Sequence, residues 1–113
     1  MPRVSHTEST AAKIAARRGT QDGERPLVSV VVVNWNGLAY LPECLDSLAA
    51  QSYPALEVIV VDNGSTDGSV EYLRGQRVGR LHLVESPVNL GFAGGNNLGI
   101  RASKGAYLAL LNN

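Results

Sequence analysis

The 113 residues suffice for one domain near the small end of the usual range and are too few for two. Ten Lys/Arg balance ten Asp/Glu, so no overall field draws in nucleic acid, which is not an expected partner, or an anionic membrane. The lone Cys44 rules out an internal disulfide and fits a reducing compartment, and no apolar run nears the roughly 20 residues that cross a bilayer.

Residues 1–26 hold five Lys/Arg against three Asp/Glu and few large apolar side chains. They read as a disordered tail ending at Pro26. Ala11–Arg18 has too little apolar surface to dock firmly, even where briefly helical. No hydrophobic stretch follows Arg3, which argues against a secretory signal and for a cytoplasmic location.

From Leu27 the character changes. Val28–Val33 is a nearly continuous β-branched run, as expected of a strand covered on both faces. The polar loop Asn34-Trp35-Asn36-Gly37 follows, and Leu41, Leu45, Leu48 and Ala49 then recur at helical spacing behind a first-turn Pro42. Cys44 falls within this pattern as a buried thiol. After Tyr53-Pro54 a second run, Val58–Val61, ends in the dense turn signal Asp62–Gly68, where Ser65 or Asp67 is placed to cap a short helix over Ser69–Arg74. A third strand, Leu81–Val84, leads to a Gly/Asn-rich loop from Asn89 to Asn97. A helix over Leu98–Ala102 and a fourth strand, Tyr107–Leu111, close the chain.

Strand–helix units of this length require right-handed crossovers, hence an α/β fold with a mostly parallel open sheet and helices on both faces. Such sheets bind ligands outside the carboxyl ends of their strands. Those ends carry the polar clusters Asn34–Asn36, Asp62-Asn63, Asn89–Asn97 and Asn112-Asn113.

The residues exclude some ligands. The loop after the first strand holds one glycine, so the G-x-G-x-x-G dinucleotide fingerprint is missing, and no Gly-Lys-Ser/Thr marks a P-loop. His6 and His82 stand far apart without Cys or His neighbours, so no metal site is expected from them. Asp62 is the only carboxylate at a carboxyl strand end. It is either a turn former or a charged acceptor for a ligand N–H or hydroxyl. Trp35, flanked by two Asn, is either core or a flat face for a nucleobase or sugar. Gly91, Gly94 and Gly95 read as a flexible turn or as close backbone approach, and Asn96 and Asn97 as helix caps or as amides offered to hydroxyls. His82 reads as a surface or satisfied strand residue, and Ser29 as a core hydroxyl bonded to backbone.

Four phrases in order carry a family resemblance: Val28–Gly37, the Leu41–Gln51 helix with Tyr53-Pro54, Val60–Ser69, and Asn89–Ile100. Together they resemble family 2 glycosyltransferases of GT-A fold, in particular the rhamnosyltransferase-like branch that builds bacterial polysaccharides. The resemblance covers residues 27–113. It implies that Val33, Asn34, Trp35 and Asn36 cradle a nucleobase. Asp62, with Asn63 beside it, would accept from the imide N–H of uracil or thymine. Asn89, Gly91, Gly94, Gly95, Asn96 and Asn97 would line the ribose and donor sugar. Asn112 would hold the first position of the DXD motif, with the metal-binding Asp directly after Asn113.

The implied protein is an inverting enzyme using Mn or Mg. It would move a sugar from a UDP- or dTDP-sugar, dTDP-rhamnose among them, to a saccharide or lipid-linked acceptor in the cytoplasm or at the inner membrane face. Catalytic and metal-binding carboxylates are expected beyond Asn113, so the chain reads as an inactive fragment, truncated after its fourth strand, that binds no metal alone. The alternative is a non-catalytic nucleotide-sugar-binding module or pseudoenzyme.

Overall fold

A computed structural model of the chain describes residues 13–17, 25–76 and 80–112. In chain order these form β1 (Lys13–Arg17), β2 (Val28–Asn34), α1 (Leu41–Ala49), β3 (Leu56–Asn63), α2 (Ser69–Arg74), β4 (Leu81–Ser86), α3 (Gly91–Ala102) and β5 (Tyr107–Asn112). They build one five-stranded sheet in the order β1-β5-β2-β3-β4. β5, β2, β3 and β4 run parallel, and β1 lies antiparallel on the outer edge of β5.

Parity along the strands sorts the core into two layers. Val30, Val32, Val60, Ala109 and Leu111 face one way and pack with Leu41, Cys44 and Leu45 of α1 and Leu73 of α2. Val31, Ile59 and Val61 face the other way, with Val33, Val84, Leu110 and the α3 residues Leu98 and Ala102 around them. The apolar residues of α1 recur at three- and four-residue spacing, so one stripe is buried and Glu43 and Asp46 stay outside the core. Each fully buried Leu or Val of these layers is worth about 1.5–3 kcal/mol relative to exposure.

Topology explains why α3 sits alone. The chain steps β2 to β3 to β4 in one direction, then returns past β2 to β5. Right-handed crossovers in opposite directions put their helices on opposite faces. The reversal lies between β2 and β5, and their carboxyl ends form the switch point where open sheets hold ligands.

Two expectations are corrected. Lys13–Arg17, inside the segment read as a disordered tail, is a strand with a register irregularity between Ile14 and Ala16. An edge strand is held by main-chain pairing, so its sequence needs no apolar run, and the edge of β5 is covered rather than bare. The sheet therefore has five strands, not four. The rest of the tail reading, on residues 1–12 and 18–24, falls outside the described residues.

The second correction concerns Asn89–Asn97. The helix begins at Gly91, not Leu98, so most of the expected loop is helical. Gly95 and Gly99 are there for contact. A Cβ on Gly95 would lie 2.8 Å from Val33 Cγ1, and one on Gly99 would lie 2.3 Å from Val31 Cγ1. Close helix–sheet packing offsets the roughly 1 kcal/mol that each helical glycine costs relative to alanine.

Candidate functional site

β2 and β3 pair in parallel with Asn34 opposite Asp62, so the last residues of both strands arrive side by side. Asn34 is fully buried and Asp62 is 1% exposed. Their side chains meet, with Asn34 Nδ2 donating to Asp62 Oδ1 at 3.0 Å. The Asp62 carboxylate also anchors the turn that follows. Ser65 Oγ donates to Oδ1 at 2.8 Å, and the Ser65 amide donates to Oδ2 at 2.9 Å. Asp62 is thus a turn former, and Oδ2 takes only one of these three bonds.

The loop after β2 is stitched to the same turn. Asn36 adopts a left-handed conformation, φ 50°, which Asn tolerates better than most residues. Its amide N–H donates to Ser65 Oγ at 2.8 Å, and its Oδ1 accepts from the Thr66 amide at 2.8 Å. One residue pair further on, the Leu38 amide donates to Asp67 Oδ2 at 3.0 Å. Asp67 Oδ1 accepts from the amide and hydroxyl of Ser69, but the N-cap of α2 is Gly68, in a left-handed conformation, and not Ser65 or Asp67 as expected. These donors hold the Asp67 carboxyl below its usual range, the Ser69 hydroxyl contributing most and the Leu38 amide next. Trp35, between the two tethered Asn residues, is left 55% exposed.

Asn63 turns to the other face. Its Nδ2 donates to the Gly91 carbonyl oxygen at 2.9 Å, and its Oδ1 accepts from the Leu90 amide at 3.0 Å. Asn89 Oδ1 accepts from the Gly91 amide at 2.7 Å. The amides of Asn36, Asn63 and Asn89 are therefore engaged in holding main chain. Asn96 differs. It lies in the second turn of α3, is 7% exposed, and has no side-chain hydrogen bond among the described residues. Asn97, next to it, is exposed. Neither caps the helix, whose N-cap is Leu90. Val33 is half-buried against α3, and the Asn112 backbone pairs with Val33 across β5 and β2.

A recess of about 340 Å³ opens beside Asp62, walled by Gly64, Ser65, Thr66, Val70, Glu85 and Ser86. Arg74 grips Glu85 at its margin with two bonds, Nε to Oε2 at 2.8 Å and Nη2 to Oε1 at 2.7 Å. That pairing lowers the Glu85 pKa and raises that of Arg74. Trp35 stands outside this recess. A similar recess of about 360 Å³ lies at the opposite end of the strands, between Leu48 of α1 and Leu56 and Leu81. It has no carboxylate wall, and it sits away from the switch point.

Sequence reasoning missed Glu57. It is 3% exposed, at the amino end of β3, and accepts hydrogen bonds from Ser29 Oγ at 2.5 Å and from the Lys104 amide at 2.7 Å. Ser29 Oγ in turn accepts from the Gly105 amide at 2.8 Å, so its expected backbone bond is present and a buried carboxylate is added to it. The signal was parity: Glu57 shares its face with Ile59 and Val61. Exposed His82 lies 3.9 Å from Glu57.

Fold and site together define a GT-A-type α/β domain, with its polar residues gathered at the carboxyl ends of parallel strands. Glycosyl transferase family 2 matches residues 29–113, and the chain belongs to that family. GlyG, a glycosyltransferase of Streptococcus pneumoniae, is 37% identical over 91 residues, 76% of this chain and 29% of that protein. TarS residues 1–349 from S. aureus, also solved with UDP and with UDP-GlcNAc, superpose with a TM-score of 0.71 at 29% identity, over 76% of this chain and 27% of that one. A mannosyltransferase from Pyrobaculum calidifontis, solved with GDP-Man and Mn2+, gives 0.67 at 35% identity, over 80% and 27%. The chain thus spans just over a quarter of the length of each.

A divalent cation is tested by the donor set. The described residues contain no group of three or more His, Cys, Asp or Glu able to hold one, so this site alone does not fit a metal. Nor is any described helix long and apolar enough to cross a membrane.

Proposed function

We propose that residues 27–113 form the donor-nucleotide site of an inverting glycosyltransferase. The enzyme would transfer a sugar, rhamnose being the candidate, from a UDP- or dTDP-sugar to a saccharide or lipid-linked acceptor in polysaccharide synthesis. The observation that carries this is the buried Asp62 carboxylate, pre-oriented by Asn34 and Ser65, with the exposed Trp35 following Asn34 in the chain. A fixed carboxylate accepts a base imide N–H by a charge-assisted bond. Trp35 supplies a stacking face next to that acceptor. The place of these residues at the carboxyl ends of parallel strands supports the same reading, as do the nucleotides in the two solved relatives.

The roles divide by what each side chain already holds. Asn34, Asn36, Asn63 and Asn89 position the walls. Asn96, buried with no side-chain hydrogen bond among the described residues, offers its amide to a ribose or sugar hydroxyl, since a buried amide gains from a partner that a ligand supplies. Val33, Gly94 and Gly95 form the close-packed floor, with Gly91, Asn97 and Asn112 at its margin. A divalent metal belongs to the enzyme as a whole, and no step is assigned to it here. The work is proposed to be cytoplasmic, with the inner membrane face as the place of a lipid-linked acceptor.

The test is calorimetric titration with UDP and dTDP, with and without Mn2+, on the chain and on Asp62→Asn. Metal-independent pyrimidine-nucleotide binding that Asp62→Asn weakens at least tenfold is the expected result. A folded chain that binds neither nucleotide would refute the assignment of Asp62 and Trp35.

A further inference from the structure

We propose that Ser65 is the positioning residue that locks the stacking face of Trp35 in register with the Asp62 carboxylate; this rests on the nucleotide-binding reading above. One hydroxyl serves both halves of the site. It gives its proton to Asp62 Oδ1 at 2.8 Å and accepts the Asn36 amide N–H at 2.8 Å, with Asn34 Nδ2 also approaching at 3.4 Å. A hydroxyl has one proton and two lone pairs, so this set uses its full capacity. Asn34 and Asn36 are the two neighbours of Trp35, and both reach the same oxygen. The indole is therefore held through its own flanking residues, while its ring stays 55% exposed and free to meet a ligand.

Asn36 shows why the tether matters. Its left-handed backbone is disfavoured without local hydrogen bonds. The Ser65 oxygen and the Thr66 amide are the two partners that stabilise it. Removing the hydroxyl leaves the Asn36 amide unpaired and takes one donor from Asp62. The loop then gains freedom, and ligand binding must order it again. The geometry makes the acid and the aromatic one unit rather than two independent contacts.

Trp35 is the only tryptophan in the chain, so intrinsic fluorescence reports this loop alone. The experiment compares the full chain with Ser65→Ala, Ser65→Thr and a remote hydroxyl control, Ser103→Ala, whose Oγ donates to the Ile100 carbonyl at the far end of α3. Acrylamide quenching and anisotropy are read without ligand, and UDP and dTDP titrations follow. Ser65→Ala is expected to lower Trp35 anisotropy and weaken nucleotide binding about tenfold. Ser65→Thr, which keeps the hydroxyl, is expected to restore both, and Ser103→Ala to change neither. Unchanged anisotropy and affinity in Ser65→Ala overturn the inference while leaving nucleotide binding by the parent chain standing. Loss of sheet circular dichroism in both Ser65 variants also overturns it, because Ser65 would then be a folding residue. No nucleotide binding by the parent chain defeats the broader reading, and this inference with it.

Discussion

Asn63 holds Gly91 from across the sheet end: its Nδ2 donates to the Gly91 carbonyl oxygen at 2.9 Å while its Oδ1 accepts the neighbouring Leu90 amide at 3.0 Å. Asn63 is 2% exposed, so water does not compete for either bond. Asn63→Ala should cost about 2–3 kcal/mol through the two orphaned main-chain groups. Asn63→Asp keeps the acceptor for Leu90 but sets a buried carboxylate oxygen against the Gly91 carbonyl oxygen, and should cost at least as much. Urea unfolding of the three proteins gives the ranking; equal midpoints for Ala and Asn would show that the clamp contributes nothing.

The α3 glycines are held to be contact residues rather than loop residues. Gly99→Ala would place a Cβ 2.3 Å from Val31 Cγ1 and should destabilise by about 1–3 kcal/mol, despite the better helix propensity of alanine. Gly75→Ala meets its nearest neighbour at an ordinary 3.5 Å and should fall within about 0.5 kcal/mol of the parent. Thermal melts of both decide it. A stabilised Gly99→Ala would mean that α3 lies farther from the sheet.

Trp35→Ala separates binding from stability. The ring is more than half exposed, so the thermal midpoint should hardly move. Nucleotide affinity should drop by the equivalent of about 1–3 kcal/mol, the usual worth of one stacked base. A large loss of stability would place the indole in the core instead.

Burial pushes the Cys44 thiol up to about 11, with Glu43 adding to the shift. The folded state then keeps its proton while an unfolded chain loses it, so Cys44 supports the fold fully below the usual thiol value and less as pH climbs toward 11. Iodoacetamide at pH 8 should label Cys44 only as fast as the chain opens. Rapid labelling of folded protein would contradict its place between α1 and the sheet.

Asp67 works in the opposite sense. Its carboxyl is lowered by Ser69 and Leu38, so its contribution is present above the usual aspartate value and is lost as pH falls through the lowered one. Asp67→Asn should flatten the acid limb of stability against pH below about 4, where aspartate normally titrates. An unchanged limb would show the hydrogen bonds to be energetically idle.

Much of this was legible in the chain, and the failures have causes. The β-branched runs marked β2 and β3 because both faces of those strands are covered. Asp62 stood out as the carboxylate that directly ends the second β-branched run, although Glu85 also lies at a carboxyl strand end beside it. The start of α3 was hidden, since Gly and Asn signal turns and only the contacts of Gly95 with Val33 and of Gly99 with Val31 show why a helix needs them; the four-residue spacing of those two glycines was the available clue. β1 left no trace, because edge pairing draws on backbone groups common to every sequence. Glu57 looked like a solvated strand end until Ser29 and Lys104 arrived from distant parts of the chain.

The bond between Ser29 and Gly105 joins residues 76 positions apart. β2 lies at the centre of the sheet, yet its neighbour β5 is made after all the other described strands. During synthesis β2 can pair with β3 early, but its second edge must wait until α3 and β5 have emerged. The interval exposes a valine-rich edge to other chains. Folding yield should therefore depend on how fast the ribosome delivers residues 87–112, and slow translation of that stretch should raise the share of protein lost to aggregation.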